Sequence, residues 1–276
     1  MKYTCVTYRQ CLFQIIFSLL IITTCFPQTP VLVRQISSTP AVAVSVDKYD
    51  RLITADEKGN ITAYDTLGNA LYSYSPAVVG DVSMLEAWRS MQILVFYRDL
   101  QQYVQLDRFL TPLPGYNQPA RLQTEEIGFA RVMTLAYDDQ LWIFDDTDFS
   151  LKKYDLQRQK VEMNSPLNLI LKTQDYQITW IREYQNQLFV ADRNSGILVF
   201  DNLGNYRKAL PFKGLTYFQF LGEELYFTDK ETLYFFNIYS HSQRSIKLPV
   251  AAKFAILVGR YLAIYTDKAG FLYSFK

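Results

Sequence analysis

The residues able to do chemistry are few. The chain has one histidine, His241, in the polar stretch "IYSHSQRS", and three cysteines, Cys5, Cys11 and Cys25, all near the start. One imidazole cannot build a multi-histidine metal site. His241 therefore reads as an exposed turn residue. "FDDTDFS" groups Asp145, Asp146 and Asp148, and three carboxylates on one turn suggest Ca²⁺. A calcium loop of the helix–loop–helix type needs Gly at its sixth position and Glu at its twelfth, and here those are Ser150 and Leu156. The group reads instead as a turn in which Asp side chains accept backbone N–H bonds. Asp56, Asp145, Asp192 and Asp229 each close an apolar run, and this recurrence points to turn chemistry. Trp88, Trp142 and Trp180 fall in apolar runs and read as core. The sequence assigns no catalytic residue, no metal ligand and no cofactor.

Of 276 residues, 49% are hydrophobic and 20% charged, enough for a sizeable core. The net charge of +1 gives no basic excess for nucleic acid. Lys2 and Arg9 precede an apolar run from Cys11 to Ile22, then "TTC". A charged start, an apolar stretch and a zone of small residues predict a secretory signal peptide over residues 1–25. "ITTC" resembles a bacterial lipobox, with Thr24 departing from the usual small residue; the match would make Cys25 a lipid anchor. Removing the leader leaves 26 basic against 27 acidic residues and no cysteine. These features predict an exported protein of a Gram-negative periplasm or outer membrane, with no transmembrane span in the processed chain.

The elements that must position any site come from internal repetition. "TADEKGNITAYDTLGN" from Thr54 and "VADRNSGILVFDNLGN" from Val190 share Ala, Asp, Ile, Asp, Leu, Gly and Asn at matching places, 136 residues apart. Between and beyond them a short apolar run recurs at Leu52, Leu94, Leu141, Leu188, Leu225 and Leu262. Each run has an apolar strand before it and another after it. Six units of about 40 residues with up to four short strands predict an all-β, six-bladed β-propeller over residues 30–276. Innermost strands such as "AVAVSV" are small and β-branched, as a narrow centre would require. The sixth unit has only three strands, and "PVLVRQIS" (Pro30–Ser37) is unclaimed. It is expected to complete the last blade and remove an open sheet edge.

"LFVADRNSGILVFDNLGNYR" (Leu188–Arg207) and "LITADEKGNITAYDTLGN" resemble the NHL repeat, and the whole resembles, more loosely, exported TolB-like propellers. The resemblance implies a fold, not an activity. In such a ring, the turns between second and third strands share a face with the connections entering the innermost strands. The turns place Arg98, Asp145, Asp192, Arg193 and Asp229 there, with Asp99, Lys230 and Lys268. The connections add Asp81, Arg131, Asp175, Tyr176 and Lys213. Mixed charge with aromatics suits a protein contact. The expected function is a monomeric, non-enzymatic interaction scaffold with a protein partner in the cell envelope. The alternatives are a lyase or hydrolase using Glu86 or Asp81 near the central mouth, and a glycan or small-ligand binder using Tyr176, Tyr217 or Trp180.

Overall fold

The computed structural model describes residues 29–89, 92–122, 124–170 and 175–275. The expected leader over residues 1–25, with Cys25, lies outside them. Strand β1 (Pro30–Ser37) comes first. Blade 1 follows as β2 (Ala43–Val46), β3 (Leu52–Ala55), β4 (Ile61–Tyr64) and β5 (Ala70–Tyr74), and blade 2 as β6 (Met84–Glu86), β7 (Ile93–Tyr97), β8 (Gln102–Leu106) and β9 (Ala120–Arg121). Blade 3 holds β10 (Ala130–Leu135), β11 (Leu141–Asp145), β12 (Ser150–Asp155) and β13 (Lys160–Pro166). Blade 4 holds β14 (Ile178–Tyr184), β15 (Gln187–Asp192), β16 (Gly196–Asp201) and β17 (Tyr206–Leu210). Blade 5 holds β18 (Gln219–Leu221), β19 (Glu224–Asp229), β20 (Thr232–Asn237) and β21 (Gln243–Lys247). Blade 6 holds β22 (Phe254–Val258), β23 (Tyr261–Tyr265) and β24 (Gly270–Phe275).

Each blade is a four-stranded antiparallel sheet, so the protein is a six-bladed β-propeller. The fourth strand of blade 6 is β1, with Pro30 opposite Phe275 and Ser37 opposite Gly270. Both ends of the described chain are thus hydrogen-bonded into one sheet. Among the described residues, no helix is long and apolar enough to cross a membrane.

Burial explains why the second and third strands are nearly continuous apolar runs. Both faces of a blade pack on neighbours, so β7 and β11 are buried at every position. Trp142, Phe96, Phe144, Phe189, Phe200 and Phe235 fill the space between blades. The outermost strands face water: β5 and β17 are mostly exposed, and β13 alternates between exposed and half-buried.

Turn aspartates recur as expected. In "DTLGN" and "DNLGN", one Oδ1 of Asp65 or Asp201 accepts two backbone N–H bonds, at 2.8–3.0 Å. Oδ2 takes the amide of Asn69 or Asn205. Asp56 does the same for Lys58 and Asn60.

The centre departs from expectation. Blade 1 meets it with small, buried Val44 and Ser45. In blades 2 to 5 the buried inner residues include Glu86, Thr134, Trp180, Arg182, Tyr217 and Gln219. Larger polar side chains fit because they reach across the ring and bond to one another. Trp88 is not within a strand; it lies two residues past β6 and is half-buried, with the Arg182 guanidinium 5.3 Å over its ring.

Candidate functional site

The inner strands build a plug from the core side. On β6, Glu86 is 1% exposed. The Thr134 hydroxyl on β10 donates to it at 2.7 Å, and the Leu135 N–H at 3.2 Å. Arg182 on β14, also buried, donates from Nη1 to Gln219 Oε1 at 2.6 Å. The Gln219 amide donates to the Tyr217 hydroxyl at 2.6 Å, and that hydroxyl donates to the Val44 carbonyl at 3.0 Å. Side chains from blades 2, 3, 4 and 5 and a carbonyl of blade 1 thus meet about the axis.

Burial drives the Glu86 carboxyl upward, against the pull of Arg182 and the donors on it. Burial likewise lowers the Arg182 guanidinium, against Glu86. Tyr217, buried beside them, is raised well above the usual phenol range. A perturbed carboxylic acid often marks catalysis. Here Glu86 is buried and bonded to Thr134 and Leu135 of the next blade. Tyr217 and Trp180 are also buried, so neither is a platform at an open mouth. The network fixes the blades relative to one another.

Above the plug, the turns and entry connections form a cleft of about 490 Å³. Arg98 comes from the 3-10 turn (Arg98–Leu100) between β7 and β8. Arg131 comes from β10, Tyr176 and Gln177 from the entry to β14, Arg193 from the turn between β15 and β16, and Thr216 from the entry to β18. Four of the sequence-derived candidates, Arg98, Arg131, Tyr176 and Arg193, therefore line one cleft spanning blades 2 to 5. Gln177, Thr179 and Thr216 were not singled out, because neutral polar residues leave no signal beside charged ones.

The cleft's walls are held by named bonds. The Arg131 Nε donates to Asp146 at 2.7 Å, and a second guanidinium nitrogen pairs with the same carboxylate. Tyr176 stacks on Phe149. Burial, with Asp146 adding to it, raises the Tyr176 phenol. The Thr179 hydroxyl donates to the Leu215 carbonyl at 2.8 Å, tying blade 4 to blade 5.

Two other candidates are corrected. Asp145 and Asp192 are 0% and 1% exposed, so they present nothing to a partner. Asp145 accepts the N–H groups of Gly128, Phe129 and Thr147 and the Lys152 ammonium at 2.8 Å. Asp192 accepts those of Gln177 at 2.6 Å and Ser195 at 2.8 Å. A carboxylate that caps its own turn folds back onto the backbone. The rest of the "FDDTDFS" group is also committed: Asp146 to Arg131, and Asp148 to Lys152 and the Ser150 hydroxyl.

Asp81, Asp175, Lys213 and Asp229 are exposed and do not line the cleft. Asp175 and Lys213 flank it: the Asn194 amide donates to the Asp175 carbonyl, and Gly214 N–H to the Arg193 carbonyl. His241 sits in the turn after β20, stacked on Phe236 and exposed.

No protein-family model matches the chain, and no curated protein matches it in sequence. Solved structures are similar in fold. The Pan2 WD40 domain of Neurospora crassa aligns with a TM-score of 0.55 at 9% identity, covering 86% of this chain and 89% of that one. A streptogramin B lyase aligns with a TM-score of 0.55 at 12% identity, covering 90% and 86%. A catalytically inactive His→Ala variant of virginiamycin B lyase from Staphylococcus aureus, with quinupristin, aligns with a TM-score of 0.53 at 10% identity, covering 89% and 87%. At such identities the likeness is one of propeller fold, in keeping with the NHL and TolB-like resemblance.

Proposed function

We propose that the protein is a non-enzymatic binding module, exported to the cell envelope, that docks a protein partner on the face carrying Arg98, Arg131, Tyr176 and Arg193. One observation carries the reading: residues from successive blades converge on an open cleft, while the axis beneath is plugged by bonded side chains. A plugged ring directs a ligand to the face rather than the channel. The Arg131–Asp146 pair, the Tyr176–Phe149 stack and the Thr179–Leu215 bond hold the cleft's walls, which lowers the ordering cost of binding. Cleft volume falls within the range of small-ligand sites, so a small ligand is the second reading.

Site-directed photocrosslinking tests the proposal. A photoreactive residue replacing Lys213, beside the cleft, should yield a discrete adduct in cells. The same residue replacing Leu203, in the β16–β17 turn on the opposite face, should not. Equal adducts from both positions, or none from 213, would refute face-specific docking. Export is tested by fractionation and intact mass: loss of residues 1–25, or a lipid on Cys25, supports it, and an unprocessed cytoplasmic chain opposes it.

A further inference from the structure

We infer that the cleft recognises an acidic peptide segment through its carboxylates, with Arg193 as the main anchor and Arg98 as the second. The inference rests on the reading of this face as a protein-binding surface and names the chemistry it selects.

The three guanidiniums differ in what already occupies them. Arg131 is clamped by Asp146 through two bonds. Among the described residues, the carboxylate that meets Arg98 is that of its exposed neighbour Asp99, at 3.3 Å. Among the described residues, Arg193 is exposed and has no carboxylate within ion-pair distance. A guanidinium is a planar fork that takes a carboxylate on two parallel bonds, and Arg193 has that fork unused. Arg131 is then a wall, with its charge already balanced. Arg193 and Arg98 supply the attraction.

The backbone argues for carboxylate over phosphate. Phosphate sites commonly add free N–H groups to their cations. Here three of those groups, on both anchoring arginines and on Gln177, are taken. Gln177 N–H donates to Asp192, Arg193 N–H to the Gln177 carbonyl, and Arg98 N–H to the Ser83 hydroxyl. What remains is side-chain recognition: two guanidinium forks, the Gln177 amide and the Thr216 hydroxyl beside a Tyr176 ring held by Phe149. Amide and hydroxyl suit the carbonyl and N–H groups of a peptide between its acidic side chains. Arg98 and Arg193 lie at the surface, where their attraction for carboxylates is screened, so binding should weaken as salt is added.

The test uses the full chain and a fluorescent octaglutamate peptide, read by anisotropy at low salt. Binding should weaken by about tenfold or more in Arg193→Glu and by a few-fold in Arg98→Ala. It should be unchanged in Lys208→Glu, on the outer strand β17. Arg193→Gln serves if the charge reversal unfolds the protein. Binding that is absent, that ignores both Arg193 variants, or that inorganic phosphate displaces more readily than free octaglutamate, overturns the inference. The docking reading is scored separately by the adduct at position 213. An adduct that persists while octaglutamate neither binds nor competes sinks the acidic-peptide inference alone. Loss of the adduct on adding octaglutamate supports both.

Discussion

Blade 4 and blade 2 solve the same turn in different ways. Blade 4 has strands of 7, 6, 6 and 5 residues, and its turn between second and third strands is held by buried Asp192. Blade 2 has strands of 3, 5, 5 and 2, and the same turn is the 3-10 turn Arg98–Leu100. There Gln101, in the left-handed region at φ 50°, does the holding. Its amide donates to the Arg98 carbonyl at 2.7 Å and the Ala130 carbonyl at 2.9 Å, and its oxygen accepts the Ala130 N–H at 2.8 Å. A carboxylate that caps its turn is locked inward. Where an amide three residues on takes over, the first position is released, and in blade 2 it holds Arg98 of the cleft. Departure from the repeat frees Arg98 in blade 2, whereas in the regular blade 4 the cation Arg193 follows the capping Asp192.

The largest expected effect concerns the side chain that joins the two blades. Arg182→Ala in blade 4 removes the guanidinium over the Trp88 ring of blade 2, strands buried Gln219 Oε1 and takes a nearby cation from buried Glu86, at a cost of about 3 kcal/mol or more. Urea midpoints should show it, and hydrogen exchange should rise in both blades. Protection lost only in blade 4 would show that the blades are independent. The double change Arg182→Leu, Glu86→Leu should recover much of the loss.

Glycine replacement comes next. Gly196, at φ 105° in blade 4, would put a Cβ 2.2 Å from the Leu210 carbonyl oxygen. Gly115, at φ 90° in the loop before β9, would meet nothing within 4 Å. Gly196→Ala should cost well over the roughly 1–3 kcal/mol of backbone strain alone, and Gly115→Ala should stay within that range. Equal losses in melting would show that the shorter blade is packed as closely as the regular one.

Turn caps should cost less. Asp192→Ala and Gln101→Ala each strand buried backbone groups, for about 1–3 kcal/mol. Gln101→Ala should also move Arg98, and Asp192→Ala should also move Arg193 and Gln177, so both should weaken octaglutamate binding, the second more than the first.

The smallest effect is in pH dependence, in adjoining blade 3. Burial would raise the Asp145 carboxyl, but Lys152 and three N–H donors outweigh it and hold it below its ordinary value of 3.8. A depressed carboxyl contributes stability above its unfolded value and loses it as pH falls through the lower folded one. Acid denaturation should therefore begin below about pH 4, and Asp145→Asn should flatten that limb. Gln101 carries no such dependence, so its variants should keep the parent's acid profile.

Blade number, strand order and closure were legible in the sequence because they rest on apolar runs at near-constant intervals and on one unclaimed segment, Pro30–Ser37. The face was legible for the same reason: turn positions follow from topology, which brought Arg98, Arg131, Tyr176 and Arg193 together. Asp145 and Asp192 were misplaced because sequence gives a turn residue's position but not whether its side chain turns outward. The plug was not legible. Its partners are far apart in the chain, Tyr217 and Val44 by 173 residues, and alternation does not say which residue reaches the axis.

Pairing of β1 with β24 has a consequence for assembly. Pro30 cannot meet Phe275 until the C-terminal blade has left the ribosome. Such a distant contact raises the mean sequence separation of native pairs and slows folding. A nascent chain would thus keep one sheet unfinished throughout synthesis, its open edge waiting for the last strand to emerge.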